Sequence, residues 1–222
     1  DRDGLYGSVK HIGACLKLGI QPIVGVNLCV LNEAGEAIAR CVILAHGQNR
    51  GAGWAKLCAI TSAAHAGRRS NNKREHPVAI KRSQLSKLIG NDGGCTILLG
   101  PDSDVARATL PNPQASASSQ TASQSALAAW LDCFKLPGSL AIEVVTHLTE
   151  PGTAYSTLQA QRMLQLADQN KVPAVLTNAV RYLQPDDALT ADVLDAARHL
   201  EPLGFFEPQP NAQAWLKPSE AM

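Results

Sequence analysis

Short apolar runs recur along this chain, and segments of helical period stand between them. The runs are Pro22-Ile-Val-Gly-Val26, Leu28-Cys-Val-Leu31, Ala37 to Leu44, Cys95-Thr-Ile-Leu-Leu99, Leu140-Ala-Ile-Glu-Val-Val145 and the segment opening at Val172. Each is too short for a stable helix and is bounded by turn residues such as Asn32-Glu-Ala-Gly35. Strands that alternate with helices specify an α/β fold built on a parallel sheet. In such folds, sites gather at the carboxyl ends of strands. That directs attention to Val172 to Leu183, which reads as a buried strand running out into a polar loop.

The intervening segments carry helical signals. Asp3 is placed to cap a helix with apolar positions at Leu5, Val9, Ile12 and Leu16, stopped by Gly19. Ala52 to Ala66, Ser83 to Gly90 and about Ala126 to Phe134 are expected helices. Ala160, Met163, Leu164 and Ala167 mark an amphipathic helix from about Tyr155 to Asn170. Leu189, Val193, Leu194 and Ala197 share a face of the last helix, Asp187 to Leu200. Pro111 to Ser125, rich in Ser, Ala and Gln, reads as a loop, and Arg68 to Arg82 as a basic connector.

Bulk properties narrow the function classes. At 222 residues, the chain is long enough for one large domain or two small ones. A net charge of +1 supplies no global drive toward nucleic acid, and 4% aromatic residues are too few for a broad base-stacking platform. None of the six cysteines (15, 29, 41, 58, 95 and 133) forms a Cys-x-x-Cys pair, so buried reduced thiols and a cytoplasmic location are expected. No apolar run reaches the roughly 20 residues of a membrane span, and no membrane partner is expected. The opening Asp1-Arg-Asp-Gly4 reads as the middle of a motif, which suggests an excerpt from a longer chain.

Four separated stretches resemble, in order, the PHP (polymerase and histidinol phosphatase) domain of bacterial DNA polymerase III alpha subunits. Asp1-Arg-Asp-Gly-Leu-Tyr-Gly7 with Gly19-Ile-Gln-Pro-Ile-Val-Gly25 is similar to the family's "TDxxGLxG…GIxPIxG" run. Ile43-Leu-Ala with Trp54-Ala-Lys-Leu57 is similar to its "LLA…GYxNL" segment. Thr177-Asn-Ala-Val-Arg-Tyr-Leu183 is the third stretch, and looks most like the error-prone, damage-inducible branch. The fourth, Asn211-Ala-Gln-Ala-Trp-Leu-Lys217 with Glu220-Ala-Met222, resembles the exit toward the polymerase palm.

The resemblance implies a distorted (βα) barrel that lacks its first βα unit and the His-x-His pair carried there. It implies a PHP domain over residues 1–203 and a linker toward an absent palm over 204–222. The parent subunit would carry out template-directed DNA synthesis in damage tolerance and repair, with Mg²⁺ as its cofactor. Its partners would be the rest of the subunit, DNA through the parent, and accessory mutagenesis proteins. This segment would scaffold the polymerase core and hold no cofactor and no catalytic residue.

That last expectation rests on departures from the family's ligand pattern. Clustered divalent metals need several His, Asp and Glu ligands. Arg2 stands where metal-binding members have His, Asn27 where they have Glu, and Arg40 at a His position. Ala179 and Arg181 replace Asp and His. An amide is a weak ligand, a methyl group is none, and a guanidinium repels a metal. The three arginines are therefore expected to stand in for lost metal charge and to bridge remaining acids such as Glu143. Unrelated surface arginines are the plainer reading.

Of six histidines, His11, His46, His65, His76 and His199 form no close pair in sequence. His147, with Glu143 on the preceding strand, is the remaining candidate pair. Against it stand a hydrogen-bonded histidine and an acid paired with a nearby cation. The basic connector (Arg68, Arg69, Lys73, Arg74, Lys81 and Arg82) is either a solvated loop or a phosphate-backbone contact. Two other functions stay open: a free-standing metal-dependent phosphoesterase of the histidinol-phosphatase type, and a truncated gene product without function.

Overall fold

The computed structural model describes residues 1–47, 51–69, 78–90, 92–111 and 118–221. Six strands form one sheet: β1 (Val24–Leu31), β2 (Ala37–Ala45), β3 (Ala79–Lys81), β4 (Cys95–Leu99), β5 (Leu140–Val144) and β6 (Ala174–Leu176). Their order is β3-β1-β2-β4-β5-β6. The helices are α1 (Ser8–Lys17), α2 (Ala52–Arg69), α3 (Arg82–Ile89), α4 (Asp104–Ala108), α5 (Ser119–Cys133), α6 (Thr157–Asn170) and α7 (Ala188–His199). The α/β class follows the sequence expectation. Among the described residues the sheet is open, since its end strands β3 and β6 pair with β1 and β5 but not with each other.

Five strands run parallel. β2 alone runs opposite to both its neighbours, a departure from the all-parallel expectation. The cause is local. Pro22 to Leu31 holds one continuous strand rather than two, and the turn after it is too short for a crossover, so β2 folds back as a hairpin. Asn32 closes that turn, accepting the Glu36 N–H at its side-chain oxygen (2.9 Å), and Gly35 supplies the left-handed backbone (φ 91°).

Pleating sorts the strand residues between two faces. Val26, Leu28 and Val30 of β1, Ala39, Cys41 and Ile43 of β2, Ile97 and Leu99 of β4, and Leu140 and Ile142 of β5 are buried in one core. Leu57 and Ile60 of α2, Leu127 and Trp130 of α5, and Met163 and Leu166 of α6 complete it. Asn27, Arg40, Val42 and Glu143 occupy alternate positions and so belong to the opposite face.

Serine hydroxyls start three helices. Ser103, Ser118 and Ser156 each accept a backbone N–H of the first turn of α4, α5 and α6. Asp3 is not such a cap, because α1 begins at Ser8 behind Gly7. The Val172 segment is not a buried strand either. β6 is a three-residue edge strand with every residue exposed, and the buried members of the segment are Val172, Asn178 and Tyr182. In α7 the stripe Leu189, Val193 and Leu194 faces outward, while Asp192 and Ala196 are buried. Asp192 earns its place through the backbone and side-chain N–H groups of Gln209, which both bond its carboxylate.

Among the described residues, no helix is long and apolar enough to cross a membrane. The six cysteines are free thiols, with Cys29, Cys41 and Cys95 buried and the other three half-buried. Lys73, Arg74, Glu75 and His76 lie outside the described residues, as do the Arg68 and Arg69 side chains and residues 112–117. Two connector cations are engaged: Lys81 Nζ donates to the Glu33 carbonyl (2.9 Å), and Arg82 lies over the Trp130 ring (5.6 Å).

Candidate functional site

The face opposite the helical core carries a cleft of about 590 Å³ over β1, β2 and the carboxyl ends of β4 and β5. All five positions singled out from the ligand pattern line it: Arg2, Asn27, Arg40, Ala179 and Arg181. Residues separated by up to 179 positions thus line one cleft. Glu143 also lines it, while His147 lies in an adjoining cleft that shares Tyr155, Ala179 and Arg181.

One corner is built around Asp3. The N-terminal stretch lies along β1 as a short parallel bridge, Arg2 opposite Asn27, with the Asn27 N–H donating to the Asp1 carbonyl (2.8 Å). Asp3 then takes a left-handed backbone (φ 60°) that aims its carboxylate at Arg40. Arg40 Nη2 donates to Asp3 Oδ1 (2.6 Å) and to the Asn27 carbonyl (2.9 Å), and Nε donates to Asn27 Oδ1 (2.8 Å). This guanidinium is only 16% exposed, so these are charge-assisted bonds in partly dry surroundings. Arg2 Nε stands 4.0 Å from the other Asp3 oxygen. Burial, then the neighbouring Arg40 and Arg198 cations, pushes the Arg2 guanidinium below its ordinary value.

The second corner is acidic. Glu143 sits near the end of β5, and Thr177 Oγ1 donates to its Oε1 (2.8 Å). Burial pushes this carboxyl above the usual range; the Thr177 bond opposes that shift, and Asp102 adds to it. The other oxygen lies against Gly100, where a Cβ would stand 2.2 Å from Oε2. A side chain at position 100 would displace the carboxyl. Tyr155 closes this side, its phenol pushed up by burial and by Asp102 beside it.

The third corner is the loop after β6. Arg181 Nη2 donates to Asp195 Oδ2 of α7 (2.6 Å). Ala179 holds a left-handed backbone (φ 43°), unusual for a residue with a Cβ. The buried Asn178 between the sheet and this loop is the local anchor. Its carbonyl faces His147 Nε2 at 2.8 Å, and its side-chain Nδ2 donates to the Gln213 (2.9 Å) and Trp215 (2.7 Å) carbonyls. His147 stacks on Tyr155, ring centroids 4.9 Å apart, and burial pushes its imidazole below the usual value.

Two expectations need correction. The arginines do not bridge Glu143: Arg40 is satisfied by Asp3, Arg181 by Asp195, and Glu143 by a threonine hydroxyl. Glu143 is therefore not an acid held by a cation. Nor do Glu143 and His147 form a pair, since each bonds a different residue. Sequence reasoning missed Asp3 as an ion-pair partner, and also Asp102, Tyr155, Asn178 and Asp195. No local spacing marks these partners: Arg181 lies in the loop after β6 and Asp195 on α7, and Asp3 meets Arg40 across 37 positions.

The residues at these five positions do not fit a divalent cation. Three guanidinium groups, one carboxamide and one methyl stand at the five positions, and the carboxamide oxygen is already bonded to Arg40 Nε. Among the described residues, no three His, Cys, Asp or Glu side chains converge. His11 lies near Cys15 on α1, His46 faces Thr96 Oγ1 (2.7 Å), His65 faces the Asp3 carbonyl (2.7 Å), and His199 is tilted against Phe206.

No protein-family model and no curated protein matches the chain. Among solved structures, it is similar to a Bifidobacterium adolescentis protein provisionally described as a metal-dependent phosphoesterase. The two are 10% identical, with a TM-score of 0.42, over 81% of this chain and 74% of that one. A likeness of that size carries nothing beyond what the strand order itself establishes.

Proposed function

We propose that this chain is a metal-free domain of PHP type, belonging to an error-prone DNA polymerase III alpha-type subunit, in which it scaffolds the polymerase core. The observation that carries the reading is the convergence of Arg2, Asn27, Arg40, Ala179 and Arg181 in one cleft. The sequence motifs single out these positions without reference to space, and cations fill three of them, Arg2 and Arg40 sharing Asp3 and Arg181 pairing with Asp195. A site built this way holds positive charge without metal and lacks the metal-bound water of a PHP phosphoesterase.

The parent would carry out Mg²⁺-dependent nucleotidyl transfer elsewhere, in damage tolerance and repair, in the cytoplasm, with DNA and accessory proteins as partners. The test uses the parent polypeptide. It extends a primed template with Mg²⁺ and dNTPs, and it shows no p-nitrophenyl phosphate turnover with Zn²⁺ or Mn²⁺. Phosphatase turnover without primer extension would instead establish a phosphoesterase of the histidinol-phosphatase type.

A further inference from the structure

The segment after α7 is coil, yet much of it is tied down. Gln209 bonds Asp192 through both its backbone and side-chain N–H groups (3.2 and 2.9 Å), and Asn211 Nδ2 donates to the His147 carbonyl (2.7 Å). The Arg181 N–H donates to the Ala214 carbonyl (2.8 Å), and the Leu216 N–H donates to the Tyr182 carbonyl (2.9 Å). Residues 209–216 therefore form a strap laid along the loop 177–183. That same loop presents Ala179 and Arg181 to the cleft on its other side.

Asn178 joins the two sides. Its carboxamide donates both hydrogens to the strap, at the Gln213 and Trp215 carbonyls. Its own carbonyl faces His147 Nε2, and His147 is stacked on Tyr155 of the cleft wall. Asn178 is 6% exposed, so water cannot replace these bonds while the strap is in place. Leu148, Tyr155 and Ala179 surround this anchor, each with a left-handed backbone that costs energy and persists only where surrounding contacts hold it.

We propose that Asn178 is the pivot of a latch that couples the cleft wall to the strap, so that neither moves without the other. Displacing Arg181 or Ala179 in the cleft draws on the loop, and the loop carries the strap through Asn178 and the Ala214 carbonyl. Lifting the strap frees two carbonyls and the Asn178 amide together, and releases His147 and Tyr155. Asn178 acts here as a positioning residue, and the latch stands whether or not the cleft is a retired metal site.

Amide hydrogen exchange on the 222-residue chain tests the latch from both sides. Asn178→Ala should speed exchange by about tenfold or more at Leu216 on the strap and at His147 on the cleft wall alike: the bonds to the Gln213 and Trp215 carbonyls are lost directly, and the residue-178 carbonyl that faces His147 Nε2, though still present, is no longer held in place. Faster exchange at Leu216 alone, or at neither, overturns the proposal. Arg181→Ala, which cuts only the cleft-side bond to Asp195, should speed Leu216 exchange several-fold; an unchanged Leu216 overturns it. This second variant decides alone if Asn178→Ala does not fold. Ser118→Ala, which removes the α5 cap, should leave His147 and Leu216 unchanged. An equal rise there would mean global opening, and the latch would be wrong.

Discussion

Glu143 shows how far a single residue was legible. Its place on a strand of apolar residues marked it as a candidate acid, but the sequence paired it with a cation and the fold gives it Thr177 and Gly100 instead. Its partner lies 34 positions away in the loop after β6, and no local spacing encodes that. Because burial raises its folded pKa, the native state holds the proton more tightly than the unfolded chain does. Stability from this group is thus fully present below about pH 4.5, its ordinary value, and falls as pH rises through the folded pKa. Glu143→Gln keeps an acceptor for Thr177 and removes the charge. It should raise the urea midpoint at pH 7–8, and the gain should vanish near pH 4. A gain equal at both pH values would show that charge burial is not the cause. The five departures from the ligand pattern were legible as one site because the motifs carry register. Their partners Asp3 and Asp195 were not, because ion pairing depends on which strands become neighbours.

At the scale of elements, most strands and helices followed the apolar periods, though α5 begins at Ser119, inside the stretch Pro111 to Ser125 expected to be a loop. β4 occupies the expected run, and β2, β5 and α6 begin or end within two residues of theirs. The failures share a cause: amphipathic stripes and apolar runs report what could be buried, not what is. Leu189, Val193 and Leu194 formed a clean stripe, yet α7 buries Asp192 and Ala196, because the strap supplies hydrogen-bond donors on that side. β6 lies at an edge where no further described strand covers it. The N-terminal stretch is held to β1 by backbone bonds with Asn27 and to β2 by Arg40, which satisfies Asp3 and the Asn27 backbone and side-chain carbonyls together. Arg40→Ala leaves the Asp3 carboxylate with only the distant Arg2 and should cost about 2–4 kcal/mol in denaturant unfolding. Arg40→Lys should recover less than half, since an ammonium cannot reproduce the fork that reaches Asn27 and Asp3 at once. Full recovery by lysine would show that charge alone holds this corner.

For the whole molecule, alternation of strand and helix specified the α/β class, and the open six-stranded sheet agrees with it. The direction of β2 depended on one short turn, which an alternation argument passes over. The cleft also belongs to this scale. It is where the pleat turns Asn27, Arg40 and Glu143 to one face, and where the N-terminal stretch and the loop after β6 bring in Arg2 and Arg181. Its three cations face acids of this chain, Arg2 and Arg40 sharing Asp3 and Arg181 pairing with Asp195. On the reading proposed above, this ion pairing stands where a metal would otherwise be held. Metal content measured on the folded chain after equilibration with excess Zn²⁺ or Mn²⁺ and removal of free ion tests it most directly. The account predicts well under one ion per chain. One or more tightly held ions per chain, lost when residues of the cleft are changed, would contradict it.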